Sequence, residues 1–258
     1  IILISDGCPE KIDILKLDKT EIYLREISLR TNKGPAAARN FGFKSAKGTY
    51  ISLLDSDDYW SITKLENQIS MLKKLKSQKD LIIVSSVQIV QNNKLLKQRS
   101  PLIDYTEVGI SKLSKAPYLY LGSTAFFARE LINKCGLQVE KLRVYEDFEW
   151  QIRLSEEYNI KFLLSTAPDV YIEKSYKIHE ESFLRQNFKD FLLCLSERKE
   201  VTKAQDKIVK AMFYLDLASS FLNKKMYIKF IWNLLFSFLL VPRFSFYSDI
   251  FWTEKKPK

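Results

Sequence analysis

One stretch decides how this sequence is interpreted: Tyr50-Ile51-Ser52-Leu53-Leu54-Asp55-Ser56-Asp57-Asp58-Tyr59-Trp60. Residues 50–54 form an apolar run of strand length, and a loop with three carboxylates follows directly. In open α/β sheets, ligands bind beyond the carboxyl ends of the strands. Because neighbouring carboxylates repel one another unless a cation neutralises them, the loop predicts a site for Mg²⁺ or Mn²⁺ and a diphosphate. The alternative is an Asp-rich surface turn that caps the following helix.

Strands and helices are predicted to alternate around this loop. Strands are expected at 1–5, 25–30, 50–54, 81–90, 121–127, 160–165 and 169–174. Helices are expected at 10–18, from Pro35 to Gly48, at 62–76 after a Ser61 cap, before Gly136, and at 146–157. In the helix at 62–76, one apolar face is expected to contain Leu65, Ile69 and Leu72. The alternation predicts an α/β sheet with helices on both faces.

Residues 184–258 form a different kind of segment, because no glycine follows Gly136 and helical patterns take over. The stretch 226–241 is strongly apolar and aromatic, and its uncharged part, 230–242, is shorter than the run of about 20 residues that spans a bilayer. Cations lie on both sides of this stretch: Lys224, Lys225, Lys229, Arg243, Lys255, Lys256 and Lys258. Two interpretations stay open, peripheral membrane contact through 224–258, and packing on the domain's own core or in a dimer interface.

Composition and charge restrict the class of protein. Hydrophobic residues make up 46% and charged residues 28% of the 258 residues, which are the proportions of a globular domain. The net charge of +10 would suit nucleic acid, an anionic membrane or a phosphorylated substrate. Basic residues do not interleave with aromatic residues in any recognised nucleic-acid module, so no nucleic-acid partner is expected. The three scattered cysteines form no CxxC pair, which favours a reduced, cytosolic setting.

The first residues, Ile1-Ile2-Leu3-Ile4, already have the pattern of a buried strand, and no Met precedes them. This beginning predicts that the chain is a fragment or comes from a truncated reading frame.

Three further motifs are candidates for chemistry. A glycine loop opens a helix at Asn32-x-Gly34-x-x-x-Ala38-Arg39-Asn40 and could offer backbone N–H groups to phosphate or base oxygens. Glu146-Asp147 could supply a general base, although acidic residues also stabilise helix starts. The third motif is Tyr176-x-x-His179-x-x-Ser182, whose histidine could complete a metal shell or be a structural residue.

The order of these motifs resembles the family 2 glycosyltransferases. It runs from Asp6-Gly7 through the Asn32–Asn40 and Gly48–Trp60 segments, Gly122-Ser123 and Glu146-Asp147-x-x-Trp150 to the His179 motif. The resemblance covers roughly residues 1–183 and implies a GT-A fold, a mixed α/β sheet flanked by helices. It also implies a missing first strand and helix, and leaves 184–258 as a C-terminal helical extension.

The resemblance assigns roles position by position. Asp147 matches the catalytic base, with Glu146 in support. The residues that match the nucleotide-sugar site are Asp6, Arg39, Asp55, Ser56 and Asp57. The residues that match the divalent-metal site are Asp55, Asp57, Asp58 and His179.

The implied activity is that of an inverting, hexosyltransferase-type glycosyltransferase. The expected donor is a nucleotide-diphosphate sugar, with UDP the commonest nucleotide in that family, and the expected acceptor is a hydroxyl of a surface polysaccharide or lipid-linked glycan. The expected setting is cell-envelope polysaccharide biosynthesis in the cytoplasm, with the inner face of the cell membrane as a candidate location. The alternative hypothesis is an inactive, truncated GT-A remnant that acts at most as a binding protein.

Overall fold

A computed structural model describes residues 1–9, 23–75, 80–91, 94–99, 121–173, 179–198 and 202–242. The strands are β1 (Ile2–Asp6), β2 (Arg25–Leu29), β3 (Tyr50–Ser52), β4 (Asp58–Trp60), β5 (Leu81–Gln91), β6 (Lys94–Arg99), β7 (Ala125–Ala128) and β8 (Lys161–Glu173). The helices are α1 (Pro35–Ser45), α2 (Lys64–Lys73), α3 (Leu121–Thr124), α4 (Glu130–Cys135), α5 (Glu146–Glu156), α6 (Glu181–Arg198), α7 (Lys203–Asn223) and α8 (Tyr227–Leu240).

The larger sheet is mixed and has the order β3-β7-β5-β8-β4, with β6 paired to the far part of β5. Strand β5 is parallel to β8 and antiparallel to β7, and it is buried along most of its length. Strands β1 and β2 pair in parallel as a separate two-stranded sheet. The carboxyl end of β3 therefore leads into the Asp55–Asp58 loop at the edge of the larger sheet.

Several predicted boundaries are wrong. Helix α1 ends at Ser45, because the capping residue Ala46 is already extended with φ −67° and ψ 133°, so Gly48 is not its cap. Residues 121–124 form the short helix α3 rather than the start of β7. The two strands expected at 160–165 and 169–174 are one strand, β8, whose register against β5 shifts between Ser85 and Val87.

Helix α2 differs most from its prediction. It begins at Lys64 after Thr63, since the Ser61 hydroxyl donates instead to Asp169 Oδ1 at 2.7 Å. Leu65 and Ile69 are exposed, and the buried face consists of Lys64, Gln68 and Leu72. The inward face of α2 is therefore largely polar, and the helix packs against β5 and β8.

One hydrophobic cluster joins the sheet to the C-terminal helices. It contains Phe127 of β7 and Trp150 of α5 together with Phe188 of α6 and Phe213 of α7. The Phe188 and Phe213 rings stack with centroids 4.1 Å apart. The expected division into 1–183 and 184–258 stays a prediction, and both parts contribute to this core.

Some predictions fall outside the described residues: the helix at 10–18, Tyr176 and the basic tail at 243–258. Within the described ranges, no helix combines the length and the apolar character that crossing a bilayer requires.

Candidate active site

The loop before α1 is held by the carboxylate of Asp6. The backbone N–H groups of Lys33 and Gly34 donate to its two oxygens, each at 2.7 Å. Gly34 has φ 93°, a conformation that favours glycine, and a Cβ there would lie 2.4 Å from Arg143 Nη1. Arg143 in turn donates to the Asn32 side-chain oxygen at 3.0 Å. The motif is thus a tightly fixed turn between β2 and α1.

The donors of this turn have a partner within the protein. The sequence offered the backbone N–H groups of the loop as possible donors to phosphate or base oxygens, and in the structure those of Lys33 and Gly34 donate to Asp6. A carboxylate already present at the loop satisfies these donors, because it can accept two such bonds at once. The nucleotide-base contact predicted for Asp6 itself stays a prediction.

Arg39 lies between two predicted motifs. Its Nη2 is 3.0 Å and 3.1 Å from the two carboxylate oxygens of Asp55, and its Nη1 is 3.0 Å from Glu146 Oε1. Burial opposes the charge of Arg39, but Asp55, Asp147 and Glu146 outweigh that effect and raise its pKa. The sequence placed Arg39 near the nucleotide base, and the structure adds that it connects the aspartate loop to the Glu146-Asp147 pair.

Gly122 lets Asp55 and Arg39 approach each other. A Cβ on Gly122 would lie 2.4 Å from Asp55 Oδ2 and 3.2 Å from Arg39 Nη2. A Cβ contact under about 3 Å forces a shift, so any larger residue would push the carboxylate away from the guanidinium.

The aspartate loop is tied to Ser123 at three points. The Asp55 N–H donates to Ser123 Oγ at 3.0 Å, and Ser123 Oγ donates to Asp58 Oδ2 at 2.5 Å. The Trp60 indole N–H donates to the Ser123 carbonyl at 2.8 Å. The loop closes through the Asp58 N–H, which donates to the Asp55 carbonyl at 3.1 Å. These hydrogen bonds therefore hold the loop against Ser123, which lies in α3 just before β7.

The predicted metal ligands occupy different settings. Asp55 contacts Arg39 and Asp58 contacts Ser123, whereas Ser56 and Asp57 lie exposed at the tip of the loop. The His179 ring stacks on Phe183, and its carbonyl accepts from Ser220 on α7. In the part of the chain that the structure describes, no three His, Cys, Asp or Glu side chains form a metal-binding group. An exposed Asp57 fits a cation that takes one or two protein carboxylates and completes its shell with phosphates.

Glu146 and Asp147 open α5 and are both buried. The preceding residue, Tyr145, has φ 72°, which sets the direction from which the chain enters the helix. Burial and then the neighbouring Asp147 raise the pKa of Glu146 to about 7, against the opposing effect of Arg39. The pair therefore holds a proton-exchanging carboxyl beside a cationic group, an arrangement typical of functional sites.

Lys64 contacts the strands on both sides of the aspartate loop, Ser52 of β3 and Trp60 of β4. This role was not predicted from the sequence. Its ammonium is 3.0 Å from Ser52 Oγ, 2.9 Å from Gln68 Oε1 and 4.0 Å from the centre of the Trp60 ring. Burial lowers its pKa to about 7, and Asp169 offsets part of that change. Sequence reasoning also missed Arg143. A single lysine or arginine among 41 gives no signal of burial or of a loop contact.

Known proteins resemble this chain in sequence. Residues 1–229 match the family described as "Glycosyltransferase like family 2". An uncharacterized glycosyltransferase of Rickettsia typhi is 31% identical over 155 residues, which are 58% of this chain and 47% of that protein. A glucosyltransferase of Escherichia coli, WfaP, is 53% identical over 51 residues, which are 19% of this chain and 20% of that protein. Its full name is UDP-Glc:alpha-D-GlcNAc-diphosphoundecaprenol beta-1,3-glucosyltransferase.

The fold is also that of a solved structure. Staphylococcus aureus TarS 1–349, crystallised with UDP-GlcNAc, superposes with a TM-score of 0.60 at 18% identity, covering 93% of this chain and 72% of that one. The likeness identifies the GT-A architecture that the motif order implied. The chain spans about half the length of the Rickettsia typhi relative.

Proposed function

The chain belongs to the family 2 glycosyltransferases, and we propose that it is an inverting hexosyltransferase that transfers a sugar from a UDP-sugar to a glycan hydroxyl. The acceptor belongs to a surface polysaccharide or a lipid-linked glycan. One observation carries the proposal: Arg39 contacts both Asp55 of the aspartate loop and Glu146 of the acidic pair. The aspartate loop of the proposed donor site and the acidic pair of the proposed acceptor site therefore share one largely buried partner, the Arg39 guanidinium.

The donor side is formed by the aspartate loop. Asp55 is oriented by Arg39 and Ser123, while Ser56 and Asp57 face solvent beside it. Asp57 would hold a divalent cation, Mg²⁺ or Mn²⁺, with Asp55 and Asp58 as neighbouring carboxylates. When bound, such a cation stabilises the charge of the departing nucleoside diphosphate. His179 remains a proposed neighbour of the diphosphate.

The acceptor side is formed by the first turn of α5. The motif order matches Asp147 to the catalytic base, so we assign the proton transfer to Asp147, with Glu146 in support and held by Arg39 at 3.0 Å. Asp147 takes the proton of the acceptor hydroxyl as its oxygen bonds to the anomeric carbon and the bond from that carbon to the diphosphate oxygen breaks. Attack from the opposite face inverts the anomeric configuration. Fixed positioning by Arg39 and Ser123 supplies much of the advantage.

Two relatives support the choice of substrates. WfaP is named for a UDP-glucose donor and a diphosphoundecaprenol-linked acceptor, and TarS was crystallised with UDP-GlcNAc. A UDP-sugar is the named donor of WfaP and the molecule bound to TarS, and this is why we propose UDP as the carrier.

Calorimetric titration with UDP-glucose and UDP-GlcNAc, with and without Mn²⁺, tests the donor site. We expect metal-dependent binding that Asp57→Ala abolishes, while Asp206→Ala, an exposed carboxylate on α7, binds as the wild type does. Asp147→Asn is expected to keep donor binding and to lose sugar transfer. If the folded chain bound neither UDP-sugar, the proposal would fail and the alternative of a catalytically inactive binding protein would be favoured.

A further inference from the structure

Helix α8 buries polar side chains and exposes apolar ones, the reverse of an ordinary surface helix. The residues that it buries are Asn233 and Ser237. Ser237 Oγ donates to the Ala211 carbonyl of α7 at 2.8 Å, and the Asn233 amide donates to the Lys229 carbonyl at 2.7 Å. Eight large apolar side chains of the helix are exposed instead: Tyr227, Ile228, Ile231, Trp232, Leu235, Phe236, Phe238 and Leu239.

These exposed side chains form one continuous face. At about 100° per residue, they cover about half of the circumference of the helix, and Asn233 and Ser237 lie in the other half. Ile228 and Leu239 are 76% and 75% exposed, so the helix packing on α7 leaves them almost uncovered. An apolar face of this size marks an interaction site in a soluble protein.

The charge around the face indicates what covers it. The sequence has no Asp or Glu from 217 to 248, whereas Lys224, Lys225 and Lys229 lie at the start of α8. Lys224 and Lys229 contact Glu180 and Glu181 at 3.3 Å and 3.2 Å, and Lys225 is exposed. Because two glutamates balance only two of the three lysines, this end of the helix keeps a net positive charge.

The composition and length of the face fit a bilayer surface. Tyr227 and Trp232 are residue types that favour the boundary between headgroups and acyl chains. The helix has 14 residues and is about 21 Å long, which is too short for a hydrocarbon layer of about 30 Å. It can lie in the plane of the interface with its apolar half immersed and its lysines at the headgroups.

We infer that α8 is an interfacial helix that docks the chain on an anionic lipid bilayer through its apolar face. The inference concerns a surface of the molecule and does not depend on the reaction proposed above.

Vesicle flotation of the full chain tests the inference. Vesicles of phosphatidylcholine with phosphatidylglycerol are expected to carry the chain, and vesicles of phosphatidylcholine alone are expected to carry less. The double variant Ile228→Gln/Leu239→Gln is expected to lose at least about tenfold in partitioning, since two exposed side chains no longer gain from burial. Lys225→Glu is expected to weaken binding to the anionic vesicles only.

The matched control is Ile62→Gln/Leu65→Gln, which changes two exposed apolar residues near the start of α2 and should float as the wild type does. Circular dichroism shows whether each variant is folded, and UDP-sugar titration shows whether its donor site is intact. A loss of vesicle binding can then be distinguished from a failure of the donor site. Flotation unchanged by Ile228→Gln/Leu239→Gln would overturn the inference. A dimer seen by light scattering that this variant dissociates would also overturn it and assign the face to a second copy.

Discussion

Arg39 Nη1 lies 3.0 Å from Glu146 Oε1, although the two residues are 107 positions apart in the sequence. The same guanidinium binds Asp55, so the aspartate loop after β3 and the first turn of α5 have one common partner. A shift of either carboxylate would therefore move the guanidinium that the other carboxylate contacts.

Arg39→Lys keeps the positive charge but cannot bridge Asp55 and Glu146, because an ammonium lacks the planar fork. We expect UDP-sugar affinity to fall about tenfold or more and the free energy of unfolding to fall by about 1–3 kcal/mol. Titration calorimetry and urea denaturation measure the two effects. Arg129→Lys is the control, since Arg129 is exposed and its side chain donates to the Ala46 carbonyl at 3.4 Å, with no carboxylate partner among the described residues. Equal behaviour of the two variants would contradict the bridging role.

Gly122→Ala places a methyl group 2.4 Å from Asp55 Oδ2. We expect a folded protein whose UDP-sugar binding is strongly reduced, because Asp55 must leave Arg39. Gly42→Ala is the matched control in α1: among the described residues, its Cβ would meet Ile4 Cγ1 alone, at 3.9 Å. That change should preserve binding and stabilise the helix by about 0.5–1 kcal/mol. Normal binding by Gly122→Ala would show that the close approach is unimportant.

Glu146→Gln should change how stability depends on pH. The pKa of Glu146 is raised from 4.5 to about 7, first by burial and then by Asp147. The folded state thus holds a proton that the unfolded state releases, so this contribution is full below pH 4.5 and is lost as pH rises through about 7. It amounts to as much as about 3 kcal/mol.

Urea denaturation at several pH values between 4.5 and 7.5 checks this prediction. The wild type should lose stability across that interval, and Glu146→Gln should lose less. Glu66→Gln removes an exposed carboxylate of α2 and should follow the wild type. Parallel curves for all three proteins would mean that Glu146 is not the group that takes up the proton.

Lys64 acts in a different pH window. Burial lowers its pKa from 10.5 to about 7, with partial compensation by Asp169. The unfolded state then binds the extra proton, so the contribution of Lys64 is present at high pH and is lost as pH falls towards 7. We expect Lys64→Met to flatten the rise in stability between pH 7 and 10, whereas Lys73→Met on the exposed side of α2 leaves it unchanged. Identical slopes in denaturation experiments would refute the assignment.

The strands with a strong local pattern, such as β5, were predictable, whereas β4 (Asp58–Trp60) and β6 (Lys94–Arg99) were not predicted, because short or charged segments carry no such pattern. Strand β5 is rich in Ile and Val, with Ser85, Ser86 and Gln88 as its interior polar residues. Burial within α2 was not predictable in this way. Leu65 and Ile69 fit an inward apolar face, yet Lys64 and Gln68 face inward, because their polar atoms find partners on Ser52, Ser85 and the Thr124 carbonyl.

The candidate site shows the same limit. The motif order singled out Asp55, Asp147 and Arg39, because each stands in a short motif of the family that the sequence resembles. Their mutual contacts depend on Gly122 and Ser123, which lie about 70 residues from the aspartate loop. Only the folded chain shows that a serine hydroxyl joins Asp55 to Asp58.

The stacked rings described in the core have a consequence for how the protein unfolds. Phe213 of α7 stacks on Phe188, which stacks on Phe191, and Phe191 stacks on Phe148 one residue after Asp147. Removing α7 would uncover the side of α6 that connects through these rings to α5, so the acidic pair and the C-terminal helices should melt together in a single cooperative transition. Truncation of the chain before α7 should therefore abolish the proposed sugar transfer without removing any residue of the candidate site.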